Sequence, residues 1–272
     1  MRRQPLMVEK SSGNPPDHTT TPAIDPWARL RAATSARIGL GRAGDAMRTR
    51  DVLDFQLAHA RARDAVHTPL DTAALQAALA PRETILVQAD VDSRSTYLRR
   101  PDLGRRLSPD CTNVLQKGDW DVVFVIADGL SSTAVQVHAA PFLQQVITLL
   151  PGWRIAPVVI ATQARVALGD DIGERIGAKL CALLVGERPG LTAADSLGVY
   201  LTYDPKRGRR DSERNCISNI HGGGLSYATA ADKLTWLMSE ARSRKLTGVA
   251  LKDDPLLPGA AVPTTLSADP PG

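Results

Sequence analysis

Five segments decide the fold: ETILVQA (83–89), DVVFVIAD (121–128), APVVIAT (156–162), KLCALLVG (179–186) and GVYLTYD (198–204). Each is a short aliphatic, β-branched run of strand length, and helical stretches stand between them. That alternation predicts an α/β protein with a mostly parallel sheet. Strands in such a sheet are covered on both faces, so they read as continuous apolar runs rather than as alternating ones. The helix after 121–128 is expected to begin near residues 131–133. Pro141 should kink or divide it, because proline lacks the N–H and crowds the preceding turn. A last helix is expected with Tyr227, Ala231, Leu234, Leu237, Met238 and Ala241 as its apolar face. Arg242, Arg244 and Lys245 fall in its final turn, where cations face the negative dipole end.

Upstream of the strands, residues 26–81 carry helical periodicity, with Val52, Phe55, Ala58, Ala62 and Val66 recurring every three to four positions. Asp71 reads as the N-cap of a short helix with Leu75, Ala78 and Leu79 on one face, closed by Pro81. The expected organisation is therefore a helical lead-in segment (26–81) followed by a Rossmann-like domain (82–254). Two flanking segments, 1–25 and 255–272, are too polar and proline-rich to offset their ordering entropy and read as disordered tails.

With 272 residues, the chain has ample material for a buried core. Aromatic residues make up only 4%, so Val, Leu, Ile and Ala must fill it. The net charge is +4, yet acids and bases are interleaved along most of the chain, which argues against nucleic-acid binding. The exception is residues 94–106, where five arginines surround Tyr97 and Leu98: either a solvated or subunit-facing surface, or a holder of phosphates or carboxylates on a partner. Cys111, Cys181 and Cys216 are odd in number and widely spaced, with no C-x-x-C pair, which suggests reduced thiols in the cytoplasm. No apolar run reaches the length of a membrane helix, so no membrane association is expected.

Two glycine motifs carry little. Gly39, Gly41 and Gly44 satisfy G-x-G-x-x-G, but a dinucleotide site needs a strand just before it, and WARLRAATSAR (27–37) reads as a helix. HGGG at 221–224 matches an esterase oxyanion segment, but no G-x-S-x-G elbow follows it. A Ser131, His138 and Asp128 grouping can be drawn without anything to fix its geometry. The loops after the strands say more, since ligands of open α/β sheets bind beyond the carboxyl ends of the strands. ADGLSST, QARVALGD, VGERPGLTAADS and DPKRGRRDSERNCISN should gather along one edge. Glu187 would stand at a strand terminus, either accepting from amide donors on a ligand or pairing with Arg188 at the surface. Cys216, a lone cysteine, is by itself more often a small buried hydrophobe than a ligand contact or nucleophile.

Taken together in this order, ARIGLGRAG, LRRPDLGRRLS, VVFVIADGLSSTAV, RVALGD, LVGERPGL, GVYLTYDP, ERNCISNI and LTGVALKDD resemble the small (light) subunit of ethanolamine ammonia-lyase over roughly residues 26–254. The resemblance implies a Rossmann-like small subunit joined to a TIM-barrel large subunit, six of each, with adenosylcobalamin between them. It implies that the large subunit binds ethanolamine and that this chain covers part of the corrinoid. The family's cobalamin contacts fall on Val166, Glu187 and Cys216, with no catalytic residue and no metal ligand in this chain. A cytoplasmic enzyme is implied, with packaging in a bacterial microcompartment left open. The alternative is a standalone Rossmann-like enzyme acting on a nucleotide or small acid through Asp128 and Ser131.

Overall fold

The structure, a computed structural model, describes residues 25–252; the two segments expected to be disordered tails, 1–25 and 255–272, lie outside the described residues save for Asp25. The chain divides into two compact units between Arg48 and Thr49. In the first, α1 (Ala28–Ala33) leads to a two-residue antiparallel ladder of β1 (Arg42–Ala43) and β2 (Ala46–Met47). Gly39 and Gly44 have φ of 56° and 63°, so the glycine motif serves the turns around this ladder and follows no strand.

The second unit opens with α2 (Thr49–His67) and α3 (Thr72–Leu79). Asp71 caps α3 as expected, accepting from the Ala74 N–H. Leu75 and Leu79 are buried, while Ala78 is exposed and lies off the packed face. In α2 only Ala65 is buried, and Leu53 and Leu57 are exposed, so its periodicity marks a helix without marking a core.

The sheet has six strands: β3 (Thr84–Gln88), β4 (Trp120–Ala127), β5 (Val158–Thr162), β6 (Ala178–Gly186), β7 (Leu197–Tyr203) and β8 (Asn215–Ile220). Their spatial order is β3-β5-β4-β6-β7-β8. The first four neighbours are parallel, while β7 runs antiparallel to both β6 and β8. The sheet is therefore mixed, and two expectations need correction. GVYLTYD is a strand, but a reversed one. NCISNI, read as loop, is the sixth strand; as an edge strand it buries only Ile217 and Ile220 and shows no apolar run.

Successive residues of β4 and β6 point to opposite faces, and both faces are covered. Val122, Phe124, Ile126, Leu180, Ala182 and Leu184 pack under α3, α5 (Ser132–Thr148) and α7 (Tyr227–Arg244). Val123, Val125, Cys181, Leu183 and Val185 pack under α6 (Leu168–Ile176) and against Tyr97 of the short α4 (Arg94–Arg99). Ser131 caps α5, which runs undivided through Pro141. The proline is exposed, so water can satisfy the carbonyl it leaves without a donor. The expected face of α7 is confirmed, except that Tyr227 is only partly buried; Lys245, in the left-handed region, ends the helix.

Candidate functional site

Because β7 is reversed, the four loops do not share one edge. Those after β4, β5 and β6 meet at the carboxyl edge of the parallel strands. The 204–214 loop leaves β7 at the opposite edge, and β8 carries the chain back to the carboxyl edge at Asn219.

Glu187 is the first residue beyond β6 and is half-buried. Its backbone N–H donates to Ser196 O at 2.9 Å. Its Oε2 accepts from the Ser196 hydroxyl, and at 3.3 Å from the Asn219 N–H. The carboxylate therefore spans β6, the start of β7 and the end of β8, and its closest partners do not include Arg188. Two local features make room for it. A Cβ at Gly198 would stand 2.9 Å from Glu187 Oε1. In addition, β8 carries one extra residue between Ile217 and Ile220, and Asn219 sits at φ 65°, so its N–H is aimed at the carboxylate.

Cys216 pairs across the strands with Tyr200, which places the two side chains on the same side of the sheet. Cys216 as a residue is exposed, yet packing around the thiol raises its pKa, with Glu187 adding to the rise and Tyr200 opposing it. Burial, then the neighbouring Cys216, push the Tyr200 hydroxyl up to about 12. Glu187 acts electrostatically on both, so the three form one cluster on one side of the sheet. Cys216 and Ser218 are exposed there, so among the described residues this part of the face lies open. Val166 belongs to the same side: it precedes α6 and packs, partly buried, against the core beneath that helix. α6 itself is locked down by a bidentate pair between buried Asp170 and Arg214, at 2.5 and 2.7 Å.

Tyr200, Ser196 and Asn219 were missed from the sequence. A tyrosine inside an aliphatic strand is a usable signal only once β8 is known to lie beside it.

The side chains of the Ser131, His138 and Asp128 grouping are each bonded to other groups rather than to one another. Asp128 is held by Arg94 and by the backbone of residues 163 and 164. Ser131 caps α5 and donates to Ala194 O at 2.8 Å. His138 lies 2.6 Å from the Tyr227 hydroxyl and 3.6 Å from Asp195. The HGGG segment is a turn between β8 and α7 whose Gly223 and Gly224 N–H groups are taken by His221 itself. Of the arginine run, Arg94 points inward to Asp128, while Arg99, Arg105 and Arg106 are exposed.

Fold and geometry together define an α/β protein whose polar groups gather on an open sheet face. Residues 24–252 match the family model for the ethanolamine ammonia-lyase light chain (EutC). The small subunit from Xanthomonas campestris pv. campestris is 51% identical over 261 residues, covering 92% of this chain and 96% of that one. Those from Azotobacter vinelandii (51%, covering 86% and 91%) and Pseudomonas fluorescens (50%, covering 86% and 89%) are similar. The chain belongs to the ethanolamine ammonia-lyase small-subunit family. Among the described residues no helix is long and apolar enough to cross a membrane.

Proposed function

We propose that this chain works with a large subunit as an adenosylcobalamin-dependent ethanolamine ammonia-lyase, releasing acetaldehyde and ammonia, and that its part is to hold the corrinoid. The observation that carries the reading is the Glu187–Tyr200–Cys216 cluster on an open sheet face, in a chain half identical to named small subunits. α5 and α6 cover opposite faces of the sheet, which supports a Rossmann-like description of the parallel part.

The residues fit such a group. A corrin ring is broad and fringed with amides, and it asks for a flat surface with a few fixed acceptors and apolar contacts. Glu187 Oε2 already accepts from Ser196 and Asn219, so the carboxylate is fixed before ligand arrives and can take an amide N–H without rearranging. Tyr200 and Cys216 supply a partly apolar floor, and Val166 an apolar wall. When bound, the cofactor supplies the radical by cobalt–carbon homolysis, and the protein supplies binding, orientation and exclusion of water. The large subunit, in a hetero-oligomer with six copies of each chain, would bind ethanolamine. A cytoplasmic location follows from that reading.

Reconstitution tests it. Co-purified with its large subunit and given adenosylcobalamin, the chain should support release of ammonia and acetaldehyde in equal amounts. Full turnover by the large subunit alone would overturn the proposal.

A further inference from the structure

Val166 stands at the end of a turn, 163–166, that is held more firmly than a link between a strand and a helix requires. Asp128, immediately after β4 and 5% exposed, spends both carboxylate oxygens on it. Oδ1 accepts the Ala164 N–H at 3.0 Å, and Oδ2 accepts the Gln163 N–H at 2.9 Å. Arg94 Nη1 approaches Oδ2 to 3.2 Å, while its Nε donates to Val66 O at 2.8 Å. Gln163 itself has φ 55°, a backbone that side chains other than glycine adopt at a cost. Such conformations persist where the surroundings over-determine them.

Further restraints act on the next two residues. The fully buried Tyr97 has its hydroxyl 3.1 Å from Ala164 O and 2.9 Å from Gly129 O. The guanidinium carbons of Arg94 and Arg165 lie 4.6 and 4.3 Å from its ring centroid. Arg165 N–H donates to Gly104 O at 2.8 Å. Gly104 leaves that approach open, since a Cβ there would meet Tyr97 and Arg165 at 2.9 Å. Each residue from 163 to 165 is thus tied by a group distant in sequence, and the partly buried Val166 follows.

We infer that Asp128, braced by Arg94 and Tyr97, is a positioning residue: it sets the 163–166 turn so that Val166 meets the corrinoid rim. This rests on the reading of Val166 as a cofactor contact. Asp128 does not touch the cofactor, and it takes no part in the chemistry; it fixes where the wall of the site stands. In Asp128→Asn one carboxylate oxygen becomes an NH2 donor, so one of the two N–H groups loses its acceptor, and Gln163 is free to leave the left-handed region.

The test uses the two-subunit enzyme and titrates adenosylcobalamin into four variants: Asp128→Asn, Tyr97→Phe, Val166→Asp and Leu143→Ala, the last being a buried core change on the far side of the sheet. Asp128→Asn should raise the apparent cofactor constant about ten-fold, Tyr97→Phe by less, both with kcat at saturating cofactor nearly unchanged. Leu143→Ala should lower the melting temperature and leave the constant alone, which separates positioning from general stability. Adding Gln163→Gly to Asp128→Asn should recover part of the loss, because glycine holds φ near 55° without help. An unchanged constant in Asp128→Asn and Tyr97→Phe, with Val166→Asp impaired, overturns the positioning role alone. An unchanged constant in all three overturns the reading of Val166 beneath it. Should Asp128→Asn not fold, Tyr97→Phe, which removes one hydroxyl and no charge, decides.

Discussion

At the scale of single residues, buried charge here holds elements in place. Asp170 and Arg214 have side chains only 2% exposed and meet in two parallel bonds, with Arg214 also reaching Thr202 and Arg209 O. Removing one partner leaves the other charged and buried, which typically costs about 3–5 kcal/mol. Arg214→Met should therefore destabilise the chain by that order in urea unfolding. The double change Asp170→Leu with Arg214→Met should recover much of the loss, since apolar replacement of a buried pair is often close to neutral. Cys216 gives a second expectation at this scale. Its raised pKa keeps the thiol protonated at neutral pH, so its alkylation by iodoacetamide should be slow there and climb only above the ordinary thiol range near 8.5. Bound adenosylcobalamin should slow it further in the two-subunit enzyme; equal rates with and without cofactor would remove Cys216 from the site.

At the scale of elements, the helix caps and the strand pairings decide how the site is built. Ser131 both caps α5 and ties the 187–196 segment through Ala194 O. Ser131→Ala should cost about 1–2 kcal/mol of stability and leave turnover at saturating cofactor intact, whereas a collapse of turnover in a folded protein would revive a catalytic serine. The same scale shows what the sequence made legible. Strands announce themselves by unbroken apolar runs, so β3 to β7 were readable, as were Asp71 as a cap and the start of α5 near residue 131. The direction of β7 was not, because an aliphatic strand looks the same parallel or antiparallel. β8 was invisible for a different reason: as an edge strand with one open face it buries only two isoleucines and carries Asn215, Cys216, Ser218 and Asn219. The site inherited that blindness. Glu187 stood out at the end of β6, but its partners Ser196 and Asn219, and the placement of Tyr200 beside Cys216, depend on the β7–β8 pairing and its extra residue. α2 was legible as a helix, but its burial was not: of the residues at core spacing, Phe55 is exposed and Val52, Ala58, Ala62 and Val66 are only half-buried.

At the scale of the whole molecule the two edges of the sheet divide the work. The amino edge is held by ions: Asp121, 2% exposed, receives Arg154 and Lys179, with Arg242 at 3.8 Å. Burial tends to raise its carboxyl, but Arg154 through side chain and backbone, then Lys179, hold it well below the usual carboxylate range. A carboxylate depressed in the folded state stabilises the protein above its unfolded pKa of about 4, and that contribution fades as pH falls below it. Asp121→Asn should thus weaken folding by about 1–3 kcal/mol at pH 7, with the gap to the unsubstituted chain closing as the pH is lowered below about 4. A gap constant down to pH 2 would show that the ion network contributes nothing.

At the carboxyl edge, the proposed hold on the cofactor rests on Glu187. A carboxylate bonded to amide donors in a partly desolvated cleft contributes about 1.5–3 kcal/mol, so Glu187→Ala should raise the apparent adenosylcobalamin constant of the two-subunit enzyme about ten-fold to a hundred-fold. Turnover at saturating cofactor should change far less. Titration of adenosylcobalamin into mutant and unsubstituted enzyme side by side is the most direct measurement: the predicted result is that weakened binding with kcat retained, and an unchanged constant would contradict the assignment of this sheet face to the corrinoid.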